Sequence, residues 1–220
     1  VTLHHAHPWD VTPREAVAIQ RDLAEHVRFE PLPTTIETVA GVDVSVREDR
    51  VRAALVVLAL PDLEVVDRAT WEGPVVFPYV PGLLSFREMP AVLPALEQLT
   101  VEPDVYILDA QGYAHPRRFG LACHLGVLLD KPAFGVAKSR LVGRHDEPGV
   151  EKGERSPLVH RDEVIGRVVR TRAKVKPVFV SVGHRATLDD AVELTLRLAT
   201  RFKLPMPTHR AHRLSKYGAL

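Results

Sequence analysis

Residues 104–138 read DVYILDAQGYAHPRRFGLACHLGVLLDKPAFGVAK. Asp104 to Leu108 is a short, nearly continuous apolar strand, the pattern of a strand covered on both faces. Phe119 to Leu129 is an apolar helix, and Ala133 to Ala137 is a second buried strand. Strand, helix and strand in that order make a parallel crossover unit. Asp109 ends the first strand, where ligands bind in open α/β sheets. The turn after it, Ala110 to Pro116, is polar and long enough to present groups to a substrate. Simple capping of the next helix does not explain Asp109, because that helix begins several residues later.

Upstream the pattern is different. Thr12-Pro13-Arg14-Glu15 has the chemistry of a capping box with proline in the first turn. Ala16, Ile19, Leu23 and Val27 then recur at helical spacing, predicting a helix to about Val27 that Pro31 and Pro33 stop. Ile36 to Val46 alternates as a strand, with Val42, Val44 and Val46 on one face and Gly41, Asp43 and Ser45 on the other. Arg47 to Arg50 is a turn, Val51 to Leu60 a second strand, and Leu63 to Trp71 a third after Pro61-Asp62. Three consecutive strands with tight turns form an antiparallel meander.

Leu83 to Leu99 is mostly helical, with Pro90 and Pro94 implying an early kink or a broken start. Beyond the crossover unit, residues 144–156 form a surface loop rich in Gly, Pro and charge. Val159 to Thr171 and Val178 to Val182 are expected as two further strands. Thr187 caps an amphipathic helix, and a last helix spans roughly Thr208 to Tyr217. A meander followed by βαβ strands and flanking helices is a mixed α/β sheet, as in the ribonuclease H-like architecture. The 220 residues fit a single domain, 1–220, with residues 1–11 expected as a flexible N-terminus.

Composition excludes several classes. Hydrophobic residues at 45% and charged residues at 26% are globular values, which rules out a disordered or fibrous chain. The longest apolar run, Ala53 to Pro61, is strand-sized and far short of a membrane span. The beginning of the chain lacks a secretory pattern, and Cys123, the single cysteine, has no internal disulfide partner; a reducing cytoplasm is the expected setting. His4, His5 and His7 are expected as a solvated terminus rather than a metal site.

The net charge of +1 conceals polarity. Residues 1–110 carry 8 Lys+Arg against 18 Asp+Glu, a balance of −10, and residues 111–220 carry 21 against 10, a balance of +11. One surface suits cations and the other a polyanion. Asp43 lies mid-strand opposite three valines, and Glu88 follows Pro78-Tyr79-Val80-Pro81-Gly82 at the start of a helix. If Asp43 and Asp109 occupy neighbouring strands, Glu88 completes an oxygen-rich cluster that stays ionised only around a cation. Hard oxygen ligands favour Mg²⁺ or Mn²⁺ over zinc, for which the chain has no CxxC or HExxH pairing.

Five segments carry a family resemblance: AGVDVS at 40–45, PYVPGLLSFRE at 78–88, LDAQGYAHPRRFGLACHLG at 108–126, PAFGVAKSRLVG at 132–143 and LPMPTHRAH at 204–212. In this order they resemble endonuclease V, the deoxyinosine repair nuclease, over about Thr12 to Ala211. The resemblance implies a ribonuclease H-like fold and a divalent metal, Mg²⁺ with Mn²⁺ as a substitute. It also implies cleavage of DNA at the second phosphodiester bond 3′ to hypoxanthine, leaving 3′-hydroxyl and 5′-phosphate ends. By matching position Asp43, Glu88 and Asp109 are the metal carboxylates, and Lys138 adds positive charge at the scissile phosphate. His212 stands where many relatives have a carboxylate, and is a candidate fourth metal position. Met206 and His209 also depart from the glutamate and arginine common there.

By the same resemblance Pro78, Tyr79, Val80 and Pro81 form a wedge that replaces a base leaving the stack. Gly82, Gly112, Gly120 and Gly126 flank the base pocket, which Leu84, His115 and Leu121 line. The expected partner is deoxyinosine-containing DNA, with inosine RNA as an alternative, and the expected state is a monomer. Two other readings stay open at this stage. One is a structure-specific or RNA-directed nuclease on the same fold. The other is a non-catalytic nucleic-acid-binding module built on Arg161, Arg167, Arg170, Arg172, Lys174 and Lys176.

Overall fold

Thr12 caps the first helix as its sequence predicts. Its hydroxyl accepts from the Glu15 N–H at 3.3 Å, and the Glu15 carboxylate accepts from the Thr12 N–H at 2.8 Å. Such a cap is typically worth about 1 kcal/mol. The computed structural model describes residues 1–220. Helix α1 (Pro13–Ala24) is followed by β1 (Thr38–Arg47), β2 (Arg50–Ala59) and β3 (Glu64–Pro74). Then come α2 (Leu84–Leu96), β4 (Val105–Leu108), α3 (Leu121–Leu129) and β5 (Ala133–Ala137). The chain finishes with β6 (Arg155–His160), β7 (Glu163–Val169), β8 (Val178–His184), α4 (Leu188–Leu198) and α5 (Met206–Tyr217).

All eight strands join one sheet in the order β3-β2-β1-β4-β5-β8-β7-β6. The β1–β4 and β4–β5 pairs are parallel, and every other pair is antiparallel. The meander and the crossover unit therefore meet at β1 and β4, and the sheet is the mixed one expected. Helices α2 and α3 cover one face, packing on Ala40, Val42, Leu55 and Leu108. Helices α4 and α5 cover the other, packing on Val39, Ala54, Ile107 and Val180. With both faces covered, β4 is buried at all four positions, as its uninterrupted apolar run requires. No helix is long and apolar enough to cross a membrane.

Three expectations change. Helix α1 stops at Ala24, and the chain tightens so that His26 and Val27 bond back to Leu23 and Ala24. Helix α2 runs through Pro90 and Pro94 as one element. The single strand expected from Val159 to Thr171 is instead the β6–β7 hairpin, turning at Arg161 and Asp162, whose φ angles are 55° and 62°. That turn uses two left-handed residues without a glycine, asparagine or proline to announce it. The N-terminus also differs from a wholly solvated segment. His4 and His5 are exposed, but the His7 ring lies 2.7 Å from that of buried His124, between Trp9 and Phe86.

Candidate active site

The parallel register brings the acidic residues together. Val42 pairs with Leu108, so Asp43, in the middle of β1, and Asp109, just past the end of β4, follow side by side, and the Asp109 N–H bonds the Val42 carbonyl at 3.0 Å. Leu108 pairs with Gly135, which places Lys138 just past the end of β5 on the same edge. Asp43 shares its strand face with Gly41, and Gly41 explains what covers it. A Cβ at Gly41 would lie 2.1 Å from the Pro207 carbonyl carbon and 2.5 Å from the Thr208 nitrogen. Only glycine lets the start of α5 descend onto β1. One and two turns later, α5 delivers His212 and Ser215 to Asp43.

One ligand atom each from Asp43, Asp109 and His212 lies within 4.8 Å of the others. The Asp43 and Asp109 side chains are 8% and 5% exposed, whereas Lys138 is 43% exposed. Lys138 forms an ion pair with Asp109, and the Ser215 hydroxyl donates to Asp43. His212 Nδ1 stands 3.3 Å from Asp43 Oδ2 and 3.3 Å from Lys138 Nζ. With its proton on Nε2 the ring offers its one Nδ1 lone pair either to Lys138 or to a cation in the cluster; with the proton on Nδ1 it donates to Asp43. Burial pushes the Asp109 carboxyl up to about 6; Lys138 pulls it down and Asp43 raises it again. Two buried carboxylates and an imidazole converging beside one lysine fit a divalent cation held by oxygen and nitrogen ligands.

Glu88 enters from α2, on the other face of the sheet. It stands outside the group whose ligand atoms converge, yet is close enough to feel both aspartates. Burial, then Asp43 and Asp109, push its carboxyl up to about 8. Of the expected metal residues, Asp43, Asp109 and His212 bring their ligand atoms together, and Glu88 adjoins them from α2.

A cavity of about 580 Å³ opens beside the cluster. Asp43, Asp109, Lys138 and His212 form one end, and Tyr79, Val80, Pro81, Gly82, Leu84, His115, Gly120 and Leu121 form the rim and wall. Tyr79 is 73% exposed, so its ring projects from the rim instead of packing in the core. Three expected residues lie elsewhere. Pro78 is beside the rim without lining the cavity. Gly112 lies under the floor, its N–H bonded to Ser181 Oγ at 2.9 Å, where a Cβ would meet the Val182 carbonyl. Gly126 is buried inside α3 against His184 and Ala133, a helix-to-sheet contact away from the pocket. Among the basic residues of the hairpin region, Arg170 is buried and bonds the carbonyls of Pro148, Gly149 and Val175. It holds the 144–156 loop and is not a phosphate contact.

Sequence reasoning missed Ser215, Gln20 and Gln111. Ser215 lies three residues after His212 on one helix, a spacing that puts both on the same face. Gln20 is buried between Ala16 and Leu23 on the inward stripe of α1, a polar residue at an apolar position. Gln111 lines the cavity and donates to the Ser139 carbonyl at 2.8 Å, a contact no sequence pattern announces.

Comparison with known proteins agrees with this architecture. The endonuclease V family model matches residues 21–213. An endonuclease V of Methanothrix thermoacetophila is 52% identical over 209 residues, covering 95% of this chain and 93% of that protein. The crystal structure of the Streptomyces avermitilis endonuclease V superposes with a TM-score of 0.91 at 45% identity, covering 99% of this chain and 97% of that one. A Ciona intestinalis endonuclease V, crystallised with a 24-mer DNA containing an inosine followed by a ribo-adenosine, gives 0.82 at 29% identity over 93% of this chain and 96% of that one. With the family model spanning most of the fold and half the residues shared with a relative of nearly equal length, the chain belongs to the endonuclease V family.

Proposed function

We propose that this chain is a metal-dependent endonuclease that recognises deoxyinosine in DNA and hydrolyses the second phosphodiester bond on its 3′ side, leaving 3′-hydroxyl and 5′-phosphate ends. The observation that carries the reading is the convergence of Asp43, Asp109 and His212 within 4.8 Å at one end of a cavity rimmed by an exposed tyrosine. Membership in the family supports it, as does the Ciona relative's complex with inosine-containing DNA.

Asp43, Asp109 and His212 would hold the cation, with Glu88 beside them; Mg²⁺ is the expected ion and Mn²⁺ its substitute. A bound divalent ion supplies neutralisation of the phosphate and acidification of water. Lys138, fixed by Asp109, adds a positive charge where the transition state gathers negative charge. Ser215 keeps the Asp43 carboxylate oriented through its hydroxyl. At the rim, Tyr79 fills the gap left when the damaged nucleotide leaves the stack, a step that otherwise costs a few kcal/mol. Gly82, Leu84, His115, Gly120 and Leu121 enclose the extruded base. The lone buried Cys123 suits a reducing cytoplasm.

The test is a nicking assay with Mg²⁺ on matched duplexes carrying inosine or adenine at one position, with an inosine RNA alongside. The expected result is nicking of the inosine duplex at the second bond 3′ to the lesion, abolished by chelator. Equal cleavage of both duplexes contradicts base recognition, and strong preference for the RNA moves the substrate class to inosine RNA.

A further inference from the structure

One backbone oxygen at the rim receives three side chains. The Gly82 carbonyl accepts from Arg117 Nη2 at 2.6 Å, from His115 Nε2 at 3.0 Å and from Gln20 Nε2 at 3.1 Å. Gln20 is fully used. Its amide also donates to the Phe119 carbonyl at 3.2 Å, and its Oε1 accepts from Arg117 Nε at 2.6 Å. The Arg117 N–H donates to His115 Nδ1 at 3.1 Å, which leaves the ring proton on Nε2, facing Gly82. Burial, then Arg117, lower the His115 pKa to about 4, so the ring is neutral at physiological pH. Gly82 itself has φ +80°, and a Cβ there would lie 2.8 Å from Arg117 Nη2.

Three segments are tied at this point: α1, the turn carrying Tyr79 and the loop leading to Gly120. The turn closes on itself through the Leu83 N–H to the Val80 carbonyl at 2.9 Å, so its pose follows that of Gly82. We propose that Gln20 and Arg117 are positioning residues for base recognition: by holding the Gly82 carbonyl they set Tyr79 against the wall formed by Gly120 and Leu121, and thereby determine the preference for inosine over an ordinary base. The proposal rests on the inosine reading above. Neither residue belongs to the metal cluster.

The experiment measures kcat/KM on inosine and matched adenine duplexes over a salt series, for wild type, Gln20→Ala, Arg117→Ala, Tyr79→Ala and the two doubles with Tyr79→Ala. Calorimetric Mn²⁺ binding and Tm accompany it. Each clamp variant is expected to lower the inosine-to-adenine ratio about tenfold, the scale of one lost partly buried hydrogen bond. Mn²⁺ affinity stays within about twofold, and the loss vanishes in the Tyr79→Ala background because the clamp acts through that residue. Arg117→Ala leaves both Gln20 carbonyl bonds in place and carries the test alone if Tm shows Gln20→Ala to be unfolded. An unchanged ratio in folded Arg117→Ala overturns the clamp. So does an equal loss on both duplexes with the salt slope reduced by about one, the signature of a phosphate contact. Absence of inosine preference in the wild type overturns the functional reading and the clamp with it.

Discussion

The carboxylate cluster and the cavity rim line the same cavity but are held in different ways. Asp43 and Asp109 sit on adjacent parallel strands whose ladder, with α5 descending on Gly41, fixes their spacing. The rim consists of turns, and its pose depends on a few side-chain bonds to carbonyls such as that of Gly82. The cluster therefore inherits the stability of the core, whereas the rim can change without disturbing it. Cutting and reading should separate under mutation.

The largest effect is expected at Asp109. Asp109→Asn keeps the shape but removes a ligand charge, and should lower nicking at least about a thousandfold, since charge stabilisation by a metal is worth several kcal/mol. Binding of the inosine duplex, measured by gel shift, should survive. Near wild-type nicking would take Asp109 out of the centre. Tyr79→Ala should do the reverse, lowering the inosine preference roughly tenfold or more, on the scale of one lost stacking contact, while Mn²⁺ affinity holds. Equal preference in the variant would make the tyrosine an ordinary turn residue.

Smaller effects lie in the shell. His212→Ala should weaken metal use by about tenfold, more in Mn²⁺ than in Mg²⁺, because imidazole suits the softer ion. His212→Asp should keep Mg²⁺-dependent cleavage. Superimposable metal titrations of His212→Ala and wild type would exclude the imidazole. Ser215→Ala removes one hydrogen bond to Asp43 and should cost a few-fold in Mn²⁺ affinity, about 1 kcal/mol, as read by calorimetry. No change there would leave Asp43 oriented by the strand alone.

The gentlest test is pH. Glu88 is raised from 4.5 to about 8 and Asp109 from 3.8 to about 6, so the folded chain holds protons that the unfolded chain releases. Without metal, their contribution to stability falls as pH rises through that window. In chelator the Tm of Glu88→Gln should therefore gain on that of wild type from pH 5 to 8, and the rise that Mn²⁺ produces in wild type should grow, because ligands must be deprotonated. A metal-induced rise that shrinks with pH would contradict the assignment.

The same contrast explains what the sequence made legible. Period-two valines, an apolar five-residue strand and a capping box are local patterns, and β1, β4 and α1 followed from them. Asp109 was conspicuous because it ends an apolar run, whereas Lys138 stood out only through the family resemblance, since a strand-end lysine by itself reads as solvated. The β6–β7 hairpin was hidden since Arg161 and Asp162 turn the chain without a glycine, asparagine or proline. Gly126 looked like pocket glycine but serves helix packing, because sequence spacing does not tell which side of a helix meets a sheet. The placement of Ser215, Gln20 and Glu88 depends on how α5, α1 and α2 dock onto residues distant in the chain. No local pattern encodes those distances.

If Asp43, Asp109 and His212 form the metal centre of the nuclease, crystals of the chain grown with Mn²⁺ will show it by anomalous scattering. One peak is expected, bounded by Asp43, Asp109 and His212 and lost in Asp109→Asn. A peak elsewhere, or none at saturating Mn²⁺ in a protein that still nicks inosine DNA, would contradict it.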